Sequence, residues 1–461
     1  MRARLHLLSI VVLATAAFGA GAVTPPPAED IAFVGAHVIP MTGPWTHDDH
    51  TVIVRDGVIV AVGPSAETPP APSDRIVDAG GLVLMPGLAE MHAHVPPPRQ
   101  PNLPETYQQD VLTLWVANGI TLARGMLGQP QHLELRSALA ANEVLGPRLV
   151  TSGPSFNGRS VRSPRQARER VAAQAAAGYD FLKMHPGLER DEFDAIAEAA
   201  RAADIPFAGH VSVDVGLEHT LAGGQLTIDH LDGYMPLLVP DPENLEAGAD
   251  AFFGIGLGDR LDRSRIAGLV TLTKDAGAWV VPTETLMENI AGARLDLEAV
   301  LDRPENAWLP PGLYEQYRRG VIETAAEDFD AEAFLAVRKA LIGALHRGGV
   351  PVLLGSDSPQ IMNVPGFSIH RELEAMVAAG LHPMEAIATG TTNPARFLDE
   401  EGRHGVITQG AEASFVLLRA NPIVDIAHTR EIEGVMVRGR WLDRGFLDDR
   451  LTEIRERYAR P

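Results

Sequence analysis

Pro86-Gly87-Leu88-Ala89-Glu90-Met91-His92-Ala93-His94 is the stretch that decides the fold of this chain. Leu88–His92 is a short apolar run behind a Pro-Gly break, the form of a buried strand. Side chains alternate along a strand, so His92 and His94, at i and i+2, point the same way and both imidazoles can reach one ion. A His-x-His pair is only moderately specific by itself. Its weight depends on what other strands deliver beside it.

Downstream, short apolar runs alternate with Ala-rich helical stretches as far as about Leu398. The strands expected are Leu88–His92, Thr121–Arg124, Arg148–Ser152, Phe181–Met184, Pro206–His210, Gln225–Asp229, Trp279–Val281 and Pro351–Leu354. Helical stretches between them include Arg165–Ala177, Arg190–Ala203, Val215–Ala222, Arg265–Ala276 and Ala331–Arg347. Eight strands alternating with helices define an α/β fold of the (β/α)8, or TIM, barrel type. A doubly wound open sheet is the competitor, and the eightfold repeat favours the barrel over residues 86–401. Two connections, Leu231 to about Arg263 and Glu284 to about Asp330, exceed ordinary barrel loops and read as shapers of a substrate site.

Upstream, Ile31–Met41, Thr51–Val54, Val58–Val62 and Arg75–Leu84 are β-rich, with a tight-hairpin signal at Asp56-Gly57. From Gly402 the chain returns to β texture at Phe415–Leu418, Val435–Val437 and Gly439–Trp441. Residues 31–85 and 402–461 are therefore expected to form one composite β-sandwich beside the barrel. Residues 23–30, with three consecutive prolines, read as a linker.

The eight strands give the histidines a meaning. His210 ends the fifth strand, His230 follows the sixth and Asp357 follows the eighth. Active sites of such barrels lie at the C-terminal strand ends, so four histidines and one aspartate from different strands converge there. Lys183, near the end of the fourth strand, can face the same mouth. A buried lysine prefers to be neutral and can take up carbon dioxide as an anionic carbamate; equally, it can pair with Asp357 or a substrate carboxylate. His370 and Glu372 open a helix after the eighth strand and read as packing or polar support. His219, His37, His47 and His50 read as solvated.

Taken together these motifs resemble the amidohydrolase superfamily, in its imidazolonepropionase-like and prolidase-like branch. They are Pro86-Gly87-Leu88 with His92-Ala93-His94, Gly119-Ile120-Thr121, Gly146-Pro147-Arg148, Asp180-Phe181-Leu182-Lys183, Gly209-His210-Val211, Ile228-Asp229-His230, Gly355-Ser356-Asp357, Thr392-Asn393-Pro394-Ala395 and Asn421-Pro422. The resemblance implies two divalent metal ions, one on His92, His94 and Asp357, the other on His210 and His230, with carboxylated Lys183 as the bridging ligand. Imidazole and carboxylate donors suit zinc. It further implies hydrolysis of an amide or peptide bond by a metal-activated water, with Asp357 moving the proton. The branch includes Xaa-Pro dipeptidases, carboxypeptidases and amidases, so a dipeptide, a C-terminal residue or an N-acyl amino acid is the expected substrate. Tyr234, Arg124 and His185 are the residues placed to hold its carboxylate. Gly125 follows Arg124 where the family often has an aspartate, and Ser414 stands where an aspartate is usual.

Composition bounds the rest. A net charge of -21 disfavours nucleic acid and anionic membranes as partners. With no cysteine, thiolate metal sites and disulfides are excluded. Arg2 and Arg4, the apolar run from Leu7 to Phe18 and Ala20-Gly21-Ala22 read as a secretory signal over residues 1–22, giving a periplasmic or secreted, homo-oligomeric enzyme acting on a small molecule. The rivals are a mononuclear deaminase or cyclic-amide hydrolase on the same barrel, distinguished by Lys183, and a non-catalytic binding protein.

Overall fold

A computed structural model of the chain describes residues 22–242, 245 and 252–460, so the expected secretory segment lies outside the described residues except for Ala22. Five strands precede the barrel: β1 (Ile31–Val38), β2 (His47–Arg55), β3 (Val58–Pro64), β4 (Arg75–Asp78) and β5 (Val83–Pro86). Asp56 and Gly57, both at positive φ (51° and 77°), make the expected hairpin between β2 and β3.

The barrel follows with β6 (Leu88–Ala93), β7 (Ile120–Gly125), β8 (Arg148–Thr151), β9 (Leu182–Met184), β10 (Phe207–Gly209), β11 (Thr227–Asp229) and β12 (Trp279–Val281). Neighbours pair in parallel along β6–β7–β8 and β9–β10–β11–β12. A bridge between Ser152 and Phe181 joins the two sets. The eighth position is filled by residues 351–358. Val352 bridges Val280 on β12, while on the other side Met91 N donates to Leu354 O (2.8 Å), Asp357 N to His92 O (2.9 Å) and His94 N to Ser358 O (2.9 Å). The ring is closed, and all eight strands lie where the apolar runs placed them.

The helices between them start and stop for local reasons. Over Pro164–Ala177, Ser163 accepts from Gln166 N at the N-terminus, Pro164 occupies the first turn, and Gly178 ends it at φ 81°. The second long connection is largely helical, with Glu284–Ile290, Leu297–Leu301 and Pro311–Ala325, and the first carries the short helix Tyr234–Leu238. No helix among the described residues is long and apolar enough to cross a membrane.

The chain closes with β13 (Phe415–Leu418), β14 (Ile432–Val437), β15 (Arg440–Asp443) and a helix, Arg444–Arg457. Strands from both ends join in one hydrogen-bonded sheet, in the order β15-β14-β13-β5-β1-β2-β3 with β4 alongside β1. The terminal helix departs from the expected β texture. Asp443 caps it by accepting from Phe446 N, and Leu447, Leu451, Ile454 and Tyr458 recur at helical spacing along its inner face. The proline-rich segment 23–30 is also pinned to the body, since Leu145 N donates to Val23 O and Arg440 Nη1 to Pro26 O.

β5 links sheet to barrel. It pairs antiparallel with β13 and runs through Gly87 into β6, the strand that carries His92. Phe415 on β13 is fully buried and meets Phe33 edge to face at 5.1 Å. Phe415→Ala is expected to lower unfolding stability by about 3–5 kcal/mol, read as a shift in the denaturant midpoint.

Candidate metal centre

The strand ends deliver their side chains to one buried point. His94 Nε2 lies 2.7 Å and His92 Nε2 3.5 Å from Asp357 Oδ1, and His230 Nδ1 lies 3.9 Å from Asp357 Oδ2. The His230 ring stands 4.5 Å, centre to centre, from both His92 and His210. Lys183 is fully buried, with Nζ 3.8 Å from Asp229 Oδ2. Its stem passes beside Gly209, where a Cβ would sit 2.4 Å from Met184 O and 2.9 Å from Lys183 Cδ, so only glycine leaves room for it. All six residues expected at the site are thus brought together.

Three of the four histidines are turned by a partner behind them. His210 Nδ1 bonds Asp232 Oδ2 (2.7 Å), His230 Nδ1 bonds Thr283 Oγ1 (2.8 Å), and His92 Nδ1 lies 3.0 Å from Asp229 Oδ2. In each case Nε2 is left for the interior. Such partners fix the ring and its tautomer around a cation.

The backbone is strained here. His230 (φ 61°), Thr283 (φ 48°) and Asp357 (φ 63°) adopt left-handed conformations that side-chain-bearing residues rarely take. Buried side chains hold the turns. Arg338 donates to Glu284 Oε2 (2.9 Å), His230 O (2.9 Å) and Pro282 O (3.2 Å). Glu372 accepts from Glu284 N (2.9 Å) and Thr285 N (2.8 Å), the polar support expected of it.

Burial dominates the electrostatics. It holds His92, His210 and His230 well below the ordinary imidazole range, with neighbouring Lys183 or other imidazoles adding to the effect. It lowers Lys183 as well, against the pull of Asp229 and Asp357. Neutral imidazoles carry the lone pairs a cation needs.

His92 Nε2, His230 Nε2 and Lys183 Nζ are all buried without a hydrogen-bond partner. Leaving one such group unmatched costs about 1–3 kcal/mol, so a cluster of them fits a missing cation. His92, His94 and Asp357 already present donor atoms within 4.8 Å of one another. The residues fit a divalent metal.

A cavity of about 510 Å³ opens above the centre, with His94, His185, His210, Asp232, Asp357 and Gln360 on its polar side. His185 packs edge-on to His210 at 4.7 Å, and burial takes its imidazole down to about 3. The other two substrate-binding expectations are corrected. Tyr234 is buried with its hydroxyl 2.7 Å from Thr273 Oγ1, because the Gly233 turn starts a helix whose face points that side chain away from the cavity. Arg124 lies within the barrel, donating to Met91 O (2.7 Å) and Thr227 Oγ1 (3.3 Å), 3.6 Å from Asp229 Oδ1. It therefore serves as a counter-charge beneath the centre.

Sequence reading missed Asp229, Asp232, Thr283 and Arg338. Thr227 and Asp229 share the inward face of β11 by alternation, so Asp229 left a signal. Thr283, two residues past the end of β12, left a signal by its position, whereas Arg338 reaches the site from a distant helix and left none. His219 lies at the surface as expected, bonded there to Asp194 Oδ1.

The amidohydrolase family model matches residues 83–442, and the chain belongs to that family. An adenine deaminase of Deinococcus radiodurans is 28% identical over 66% of this chain, which spans 59% of that relative's length. An imidazolonepropionase of Salmonella agona is 24% identical over 83% of this chain and 88% of its own. Among solved structures, a putative prolidase from Bifidobacterium longum superposes with a TM-score of 0.66 at 21% identity, covering 93% of this chain and all of its own. A bottromycin amidohydrolase reaches 0.71 at 22% identity, over 93% and 91%. These structures share the fold.

Two measurements test the centre's construction. Asp229→Asn is expected to weaken divalent-cation binding about 10- to 100-fold in a chelator competition. His370 tests the burial argument away from the ligands: it is buried, 3.0 Å from Thr429 Oγ1, and held down to about 3 by burial, with Arg430 adding to it. Unfolding exposes an ordinary imidazole, which binds the extra proton. This group's contribution is therefore complete above about pH 6.5 and lost as pH falls towards 3. Between pH 7 and 5 the wild type should lose about 2 kcal/mol through it. His370→Asn should lose correspondingly less over the same interval in denaturant titrations.

Proposed function

We propose that the chain hydrolyses an amide or peptide bond at a binuclear centre. His92, His94 and Asp357 hold one divalent cation, His210 and His230 the other, and Lys183, carboxylated, joins them. The observation that carries this reading is the set of buried, unpartnered donor atoms converging beneath an open cavity. Lys183 supports the carbamate: it is fully buried, without a hydrogen-bond partner, and biased by burial towards the neutral amine.

Cations at these positions, zinc by donor type, would supply Lewis-acid activation of a water and of the carbonyl oxygen. The chain's own residues do the rest. The water oxygen bonds to the carbonyl carbon, the C–N bond breaks, and the amine leaves. Asp357, aimed at the interior from the eighth strand, accepts the proton from the water and returns it to the departing nitrogen. Asp232, Thr283 and Asp229 keep His210, His230 and His92 from rotating during turnover.

A mononuclear centre is the second reading. It is favoured by the compactness of His92, His94 and Asp357 as a three-residue set. Such an enzyme has no need of Lys183 as a ligand.

Asp357→Asn should cost about 10²- to 10⁴-fold in kcat on any amide the enzyme turns over, while the fold stays intact by circular dichroism. Chelation should abolish the activity and zinc restore it. Activity that survives both treatments would refute the metal-dependent reading.

A further inference from the structure

Gln360 lines the cavity beside His94 and Asp357 and has no part in the chemistry described so far. Among the described residues its carboxamide makes one hydrogen bond, from Nε2 to His94 Nε2 at 3.3 Å. An amide nitrogen has no lone pair to offer, so Gln360 is the donor and the imidazole nitrogen the acceptor.

The loop that carries Gln360 is held from behind. Tyr317 Oη donates to Pro359 O (3.0 Å), Asn363 N to Gln360 O (2.7 Å) and Asn289 Nδ2 to Ile361 O (2.9 Å), so three successive carbonyls are fixed. Asn289 and Asn363 are buried and spend their own amides on the loop. Asn289 Nδ2 meets Asn363 Oδ1 at 2.8 Å, and Asn363 Nδ2 donates to Ser356 O. Ile361 and Met362 follow at φ 33° and 65°, a conformation that a β-branched residue such as isoleucine takes only under restraint. The hidden amides are thus committed to architecture. The one that faces the cavity is committed only to a metal ligand.

That commitment competes with the centre. A ring nitrogen has a single lone pair in its plane, and the lone pair of His94 Nε2 is the one a divalent cation would take. Gln360 and a cation cannot share it. Once the cation has it, the Gln360 N–H groups are left without this acceptor, on a restrained loop at the cavity's polar side.

We propose, resting on the amide-hydrolase reading above, that Gln360 is a substrate-binding residue: displaced from His94 by the cation, it donates to a carbonyl or carboxylate oxygen flanking the scissile bond. A donor already held in place loses little freedom when the substrate arrives, which favours its use in recognition.

Leucyl-leucinamide and leucyl-leucine offer a neutral carbonyl and a carboxylate oxygen at the same place beyond the peptide bond. Both are assayed on the zinc-loaded full chain. Gln360→Leu, which removes the donors, should raise KM about tenfold with kcat little changed. A loss confined to one compound identifies the oxygen as carboxylate or neutral carbonyl; an equal loss means that either serves. Zinc affinity in a chelator competition should be equal or tighter, because a competitor for His94 has gone. Gln360→Glu, of the same length but without amide donors, should also raise KM, and it takes over the test if the leucine variant is misfolded by circular dichroism. Unchanged KM for both compounds overturns the proposal. So does a zinc affinity lowered about 10- to 100-fold, as loss of a residue that merely orients His94 would give. If the wild type cleaves neither compound, the hydrolase reading has failed for these peptides, and dissociation constants from calorimetry decide Gln360 alone. Weaker binding by Gln360→Leu then supports its role; equal binding, or none by either protein, overturns it.

Discussion

Three hydrogen bonds between residues 91–94, at the end of β6, and residues 351–358 set the geometry on which everything else depends. Met91 N to Leu354 O, Asp357 N to His92 O and His94 N to Ser358 O close the barrel between segments more than 260 residues apart. Closure fixes the register that puts the carboxylate of Asp357 between two imidazoles. Glu90 locks the same seam from inside, accepting from Ser356 N (2.7 Å), the Ser356 hydroxyl and His92 N (3.2 Å). Burial raises its carboxyl to about 8. A one-residue slip would turn His92 and His94 away from the interior, so closing the barrel and building the site are one event.

The remaining ligands arrive on strained turns. His230 and Asp357 sit at positive φ, a conformation that persists only where surrounding structure over-determines it. At His230 the restraint is explicit: Arg338 holds its carbonyl, Thr283 its ring, and Glu372 the two amides that follow Thr283. Breaking a buried ion pair such as Arg338–Glu284 leaves a charge uncompensated, which ties the stability of this region to the integrity of the site.

Much of this was legible in the sequence, for identifiable reasons. Eight apolar runs gave the barrel, because parallel strands buried on both faces read as continuous hydrophobic stretches. Ligands at strand ends gave the site, because the fold delivers those positions to one face. Tyr234 and Arg124 were misplaced because distance along the chain from a ligand says nothing about which way a helix face or an inward strand position points. The terminal helix after Asp443 was hidden by its strongly charged composition, although Leu447, Leu451, Ile454 and Tyr458 carried the period. Arg338 acts through contacts that only the folded chain creates.

The account stands or falls on what the converging donors hold. Metal analysis of the full-length chain, combined with native mass spectrometry, addresses this directly. Two divalent ions per chain, with a mass increment of one carbon dioxide that disappears in Lys183→Ala, is the result this account predicts. One ion per chain with an unmodified Lys183, or a chain that binds no divalent cation, would contradict it.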